Sequence, residues 1–382
     1  MTDKYINTQK DLAELCQELA SSPWLAIDTE FIREKTYYPQ LCLIQIGAPG
    51  ILACVDTLAI KDLGCFFELI ANPNSIKVFH AAGQDLEIFY HLNGSLPQPV
   101  FDTQLAAAFL GHGEQIGYAN LVKELLKVQL EKTHTRTDWS RRPLSPGQIE
   151  YALDDVRYLR DIYLMLRQAL IATRRLSWVE EDSKYLTQPE RYRPDPDNAW
   201  QRIKAVNKLR GVKLNVLRHL AAWREHEAMA VNKPKRWVLS DDLLLQLAQQ
   251  TPKQREEFGQ LRDLSAGTAE RYADTLLALI GKALQEPKEL WPETENHRKP
   301  SMQQEATADM VNAALRIKAA EHSISPQLLA TREHIHNLLS GERDIPLLQG
   351  WRLELAGQTV LDVMAGKQQL AYVDNAPTLI PK

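Results

Sequence analysis

Long apolar runs are missing from this sequence. The longest, Leu41 to Val55, is broken by Gln45, Gly47, Pro49 and Gly50, and it falls short of the roughly 20 residues a membrane-crossing helix needs. No membrane association is therefore expected. The opening stretch MTDKYINTQKDLAELC also lacks the basic-then-apolar order of a secretion signal. Cysteine is scarce: Cys16, Cys42, Cys54 and Cys65 are the four present, with no Cys-x-x-Cys pair. That argues against a disulfide framework and a thiolate zinc site, and for reduced, buried thiols in a cytoplasmic protein. An excess of positive charge is lacking too. Lys and Arg number 45 against 49 Asp and Glu, a net charge of −4, which speaks against coating nucleic acid through overall basicity.

What is present is a soluble, globular composition, 44% hydrophobic and 25% charged over 382 residues, long enough for two or three domains. WLAIDTEF, LCLIQIG, GILACVD and IKVFHAA read as strands, and helical patterns begin with QDLEIFYHLN, so residues 1–185 are expected to form an α/β domain. The proline-rich stretch TQPERYRPDPDNAW marks a linker over 186–210. KLNVLRHLAAWREHEAMAVN, SDDLLLQLAQQ, TPKQREEFGQL and SAGTAERYADTLLALIGKALQ then read as helices of a small all-α domain over 211–290. A polar break over 291–300 precedes a second small helical domain over 301–375. Charge is unevenly placed: Gln201 to Trp237 holds ten basic residues, Lys208, Arg210, Lys235 and Arg236 among them, against Glu225 and Glu227. Such a stripe suits phosphate contacts, or is simply a solvated face.

Three short patterns carry chemistry. In LAIDTEF, strand alternation sets Asp28 and Glu30 on one side and Ile27, Thr29 and Phe31 on the other. Two neighbouring carboxylates repel, so a cation must lie between them, either a Lys or Arg side chain or a hard divalent metal. In KVFHAAGQDLEIF, a strand runs through small residues into a helix whose first turn holds Asp85. An acid there suits the helix dipole, yet the end of a strand is also where α/β proteins build sites. In SPGQIEYALDDVRYL, Tyr151 and Asp155 are four apart and share a helix face, whereas Asp154 points elsewhere.

Taken together, Asp28, Glu30, Asp85 and the Tyr151/Asp155 pair resemble the DEDD superfamily of 3′–5′ exonucleases, in the branch with a tyrosine in its last motif; the two helical groups resemble HRDC modules, the second diverged. The resemblance spans essentially the whole chain. It implies a ribonuclease H-like mixed sheet flanked by helices, followed by two helical domains. It further implies two divalent ions, Mg²⁺ or Mn²⁺, with Asp28 bridging them, Glu30 and Asp155 completing one site, and Asp85 holding the second ion. Tyr151 would orient the attacking water. The implied partner is RNA with a single-stranded 3′ end, transfer-RNA precursors among other structured RNAs; a monomer is expected, although no residue pattern speaks to oligomeric state.

Neighbouring residues carry two readings each. Phe31 can wedge against the terminal base or join the core. His80 can touch the scissile phosphate or be a satisfied strand histidine. Arg136, Trp139, Arg141 and Arg142 form a basic, aromatic loop that can contact the substrate strand. Asp102 reads as a helix cap. Two alternatives to RNA hydrolysis remain at this stage: a 3′–5′ exonuclease on DNA, since carboxylates do not sense the 2′-hydroxyl, and a non-catalytic nucleic-acid adaptor.

Overall fold

A computed structural model describes residues 2–131, 137–261, 264–293 and 300–382. They group into two compact units: Met1–Phe31, Leu41–Tyr192 and Lys299–Lys382 in one, Ile32–Gln40 and Arg193–Arg298 in the other.

The first unit is built on a six-stranded mixed sheet. Its strands are β1 (Thr2–Ile6), β2 (Trp24–Ile32), β3 (Gln40–Ala48), β4 (Ile51–Asp56), β5 (Ile76–Phe79) and β6 (Val100–Asp102), in the order β1-β4-β3-β2-β5-β6. β3 and β4 run antiparallel, and β2, β5 and β6 run parallel to one another. The expected four strands are present; β1 and the three-residue β6 are additions, too short to register as patterns. Helices α1 (Gln9–Leu19), α2 (Gly64–Ala71) and α3 (Gly83–Asn93) pack Leu12, Leu15, Phe66, Leu86 and Phe89 against Leu25, Ile27, Ile44 and Ile46 of the sheet. Helices α4 (Thr103–Phe109) and α5 (Tyr118–Leu126) follow, and then the long α6 (Pro146–Ala172) and α7 (Leu176–Leu186). The start of α6 is set by Ser145, whose hydroxyl and Gln148 form a reciprocal capping box, with Pro146 in the first turn where its missing N–H costs nothing. α6 lies unusually close to the sheet. A Cβ added at Gly47 of β3 would sit 2.9 Å from the Val156 carbonyl oxygen, so only glycine permits this approach.

The second unit contains α8 (Val212–Ala230), α9 (Lys235–Val238), α10 (Asp241–Gln250, capped by Ser240) and α11 (Ala266–Gln285, capped by Ser265). TPKQREEFGQL, expected as a helix, forms only a 3-10 turn over Arg255–Gln260, because just Phe258 and Leu261 of it reach the core. The residues read as a linker are partly structural: Ala199, Trp200, Ile203, Val206 and Leu209 are buried in this unit's core.

Residues 300–382 belong to the first unit. They comprise α12 (Met302–Glu321), α13 (Arg332–Leu339), α14 (Gly350–Arg352), a π-helical turn over Leu353–Gly357, α15 (Gln358–Met364) and an unforeseen hairpin of β7 (Gln368–Val373) and β8 (Ala376–Pro381). Trp351 stacks on Trp178 of α7 with ring centroids 4.5 Å apart, and Arg352 forks onto Asp182 at 2.8 and 2.7 Å. Among the described residues, no helix is long and apolar enough to cross a membrane.

Candidate active site

β2 carries Asp28 and Glu30 beyond the point where it pairs with β5, and α6 brings Asp155 to them. One carboxylate oxygen from each of these three residues lies within 4.8 Å of the others. All three side chains are partly buried, and burial pushes Asp28 up to about 7. Burial, then the charges of Asp28 and Asp85, push Glu30 up to about 9. Asp155 is raised by burial and by the charges of Asp28 and Glu30. The charges acting on these acids are those of other acids, the condition expected of a donor set made for a cation.

Asp85 sits in the first turn of α3, buried, with its carboxyl raised by burial and by the Asp28 charge. It is in electrostatic range of the cluster but outside the group of three. Thr29, between the two acids of β2, donates its hydroxyl to Asp85 Oδ1 at 2.5 Å. Thr29 thus orients Asp85, a role that alternation of faces did not suggest. Tyr151 is half-buried against the indole of Trp139, 6.1 Å between rings. Burial, followed by the charges of Asp155, Glu30 and Asp28, raises its hydroxyl pKa, so it stays protonated. Tyr118 at the head of α5 was also not anticipated. Its buried hydroxyl donates to the carbonyls of Asp154 and Asp155, at 3.0 and 2.5 Å, and pins the turn of α6 that bears the last acid.

Several surrounding candidates have other work. Both ring nitrogens of His80 are engaged, Nδ1 with the Thr103 hydroxyl and Nε2 with the Ile116 carbonyl, each at 3.0 Å, which leaves none for a phosphate. Phe31 packs against the sheet core. Trp139 is buried. Arg141 is exposed and paired with Asp138, whereas Arg142 forks onto the buried Asp56 at 2.6 and 2.7 Å. Arg136 lies outside the described residues. Asp102 caps α4 through the Gln104 N–H and also accepts from Ala81 and Ala82. In the second unit, Lys208, Arg210 and Arg236 are exposed, and Lys235 pairs with Glu225 at 3.1 Å.

The donor set fits Mg²⁺ or Mn²⁺: it consists of hard carboxylate oxygens, with no thiolate or imidazole in the group of three.

Comparison with known proteins identifies the family. A 3′–5′ exonuclease family matches residues 4–171, and the HRDC domain family matches residues 213–280. Ribonuclease D of Granulibacter bethesdensis is 42% identical over 95% of this chain and 92% of its own length. Ribonuclease D of Gluconacetobacter diazotrophicus is 40% identical over 98% of this chain and 96% of its own. Among solved structures, RNase D of Escherichia coli, described as an exoribonuclease involved in structured RNA processing, is 33% identical. It superposes with a TM-score of 0.87, covering 96% of this chain and 99% of that one. With its nuclease and HRDC regions both matched and its relatives aligned almost end to end, the chain belongs to the ribonuclease D family of 3′–5′ exonucleases.

Proposed function

We propose that this nuclease removes nucleotides one at a time from the 3′ end of RNA, releasing 5′-mononucleotides, and that it works in the cytoplasm on transfer-RNA precursors and other structured RNAs with a single-stranded end. The observation that carries the reading is the convergence of Asp28, Glu30 and Asp155 from two distant parts of the chain. These three, with Asp85, would hold two divalent ions, Mg²⁺ or Mn²⁺. Bound there, the ions would supply positive charge over the phosphate and favour ionisation of the attacking water.

The chain's own residues do the positioning. Thr29 fixes the Asp85 carboxylate, and Tyr118 fixes the helical turn behind Asp155. Tyr151 keeps its proton and therefore orients water by hydrogen bonding; it does not act as a base. Trp139 behind it limits the ring's movement. Structured RNA as substrate is supported by the Escherichia coli relative and by the exposed Lys208 and Arg210 just before the matched HRDC region and Arg236 within it.

The test is an incubation of 3′-labelled RNA and DNA of one sequence with Mg²⁺ or with chelator. Mononucleotide release from RNA, stopped by chelator, is the expected result. Release from DNA alone would establish a DNA exonuclease, and binding without release would establish an adaptor.

A further inference from the structure

The segment that leaves the catalytic strand does not group with the sheet it connects. Residues 32–40 begin two positions after Glu30 and return to the sheet at β3, yet they cluster with the helical unit of residues 193–298. The contacts responsible are specific. Asn232, just past the end of α8, accepts the backbone N–H groups of both Tyr37 and Tyr38 on its Oδ1, each at 3.1 Å. The Tyr37 hydroxyl donates to Oε1 of Glu225 at 2.5 Å, and its ring packs on the helical unit's hydrophobic core.

Glu225 is only 3% exposed, and Lys235 offsets its charge at 3.1 Å. A buried carboxylate committed to a tyrosine from so remote a part of the chain is costly unless that contact is needed. Asn232 itself has φ 47°, a backbone region that asparagine tolerates better than most residues. The helical unit therefore contains a small, preorganised receptor for the Tyr37–Tyr38 turn: two N–H acceptances, one charge-assisted hydroxyl bond and an apolar seat.

We infer that Asn232 and Glu225 are positioning residues for the nuclease reaction, acting by fixing the Ile32–Gln40 segment and with it the exit of the strand that carries Asp28 and Glu30. Short, single-stranded substrates then depend on the helical unit although they are too small to need a second attachment. Holding a segment beside reacting groups costs entropy once, at folding, instead of at every binding event. The inference rests on the function proposed above.

The experiment uses the full chain and two variants. Asn232→Gly removes the amide while suiting the positive φ, and Asn232→Asp keeps the acceptor oxygen. Arg33 and Lys35, both exposed within the segment, provide tryptic sites that report its release. Asn232→Gly is expected to raise the rate of cleavage after Arg33 and Lys35 at least fivefold relative to other tryptic sites. On a five-nucleotide RNA it is expected to lower kcat/KM about tenfold. Asn232→Asp restores both to within about twofold. If Asn232→Gly fails to fold, Tyr37→Phe, which deletes one hydroxyl, is expected to move both readouts in the same direction. Faster cleavage with unchanged kcat/KM would overturn the inference, because the segment would then be held without serving the reaction. Unchanged cleavage would overturn it by showing that these residues do not hold the segment. A wild-type enzyme that releases no nucleotide would count against the proposed function, and the tryptic readout would still report on the anchor.

Discussion

Asp155→Asn and Asp28→Asn each remove a charge that the other acids of the cluster repel. Both are expected to abolish RNA cleavage and, in chelator, to raise the thermal midpoint, by about 2–4 °C for each kcal/mol of repulsion relieved. Paired melts and cleavage assays check this; a variant that loses activity by unfolding would return the acids to a structural ion-pair network. Tyr151→Phe separates a different role, with turnover falling on the order of 10²–10⁴-fold and the midpoint of a Mg²⁺ titration unchanged. Weakened metal binding in that variant would make the tyrosine part of the ion site. That Asp28 and Glu30 share a strand face and Tyr151 and Asp155 a helix face was legible in the sequence from spacing alone. Their membership of one site came only from the resemblance to the superfamily; the structure brings Asp28, Glu30 and Asp155 together. The roles of Thr29 and Tyr118 were not legible, because what defines them is a partner 56 and 37 positions away, and distance along the chain carries no such information.

At the scale of elements, helix α6 depends on Gly47. A Cβ there would meet backbone, 2.9 Å from the Val156 carbonyl oxygen, and backbone cannot rotate aside as a side chain can. Gly47→Ala is expected to push α6 outward, costing about 1–3 kcal/mol in urea unfolding and lowering kcat at least tenfold as Asp155 leaves its neighbours. The turn around Trp139 depends on the fork from Arg142 to Asp56. Burial opposes the Asp56 charge, but hydrogen bonds from Arg142 and Tyr5 and the Arg142 charge hold its pKa below the ordinary carboxylate value. A folded pKa below the unfolded one means that this stabilisation is complete above about pH 4 and is lost as pH falls through the folded value. Asp56→Asn should cost on the order of 3 kcal/mol at pH 7, and the gap to wild type should close on acidification; a gap that persists would make it a packing effect. Helices with Ser caps could be read from the sequence because a cap is local. The Arg255–Gln260 turn and the β7–β8 hairpin could not, since the first buries only Phe258 and the second is held chiefly by backbone pairing.

For the molecule as a whole, the proposed phosphate contacts of the exposed Lys208, Arg210 and Arg236 are tested by the salt dependence of binding. Replacing Lys208, Arg210 and Arg236 with alanine should weaken binding of a transfer-RNA-length substrate and reduce the slope of log K against log salt by roughly 0.7–0.9 per lost phosphate contact. Turnover of a five-nucleotide RNA should not change, because those three side chains take no part in holding the Tyr37–Tyr38 turn. Salt titrations of both substrates decide it, and an unchanged slope would make the stripe a solvated surface. The sheet-containing unit is itself discontinuous, in three segments, with residues 193–298 falling between the second and the third. That arrangement has a consequence for biosynthesis. Trp178 emerges from the ribosome long before Trp351, the ring that stacks on it. At roughly 5–20 residues per second the nascent chain waits on the order of 10–35 s with that apolar face uncovered, while the inserted unit is already complete enough to fold. A ribosome that stalls after the insert therefore leaves a product that already contains Asp28, Glu30, Asp85 and Asp155 and a hydrophobic surface that chaperones and proteases can recognise.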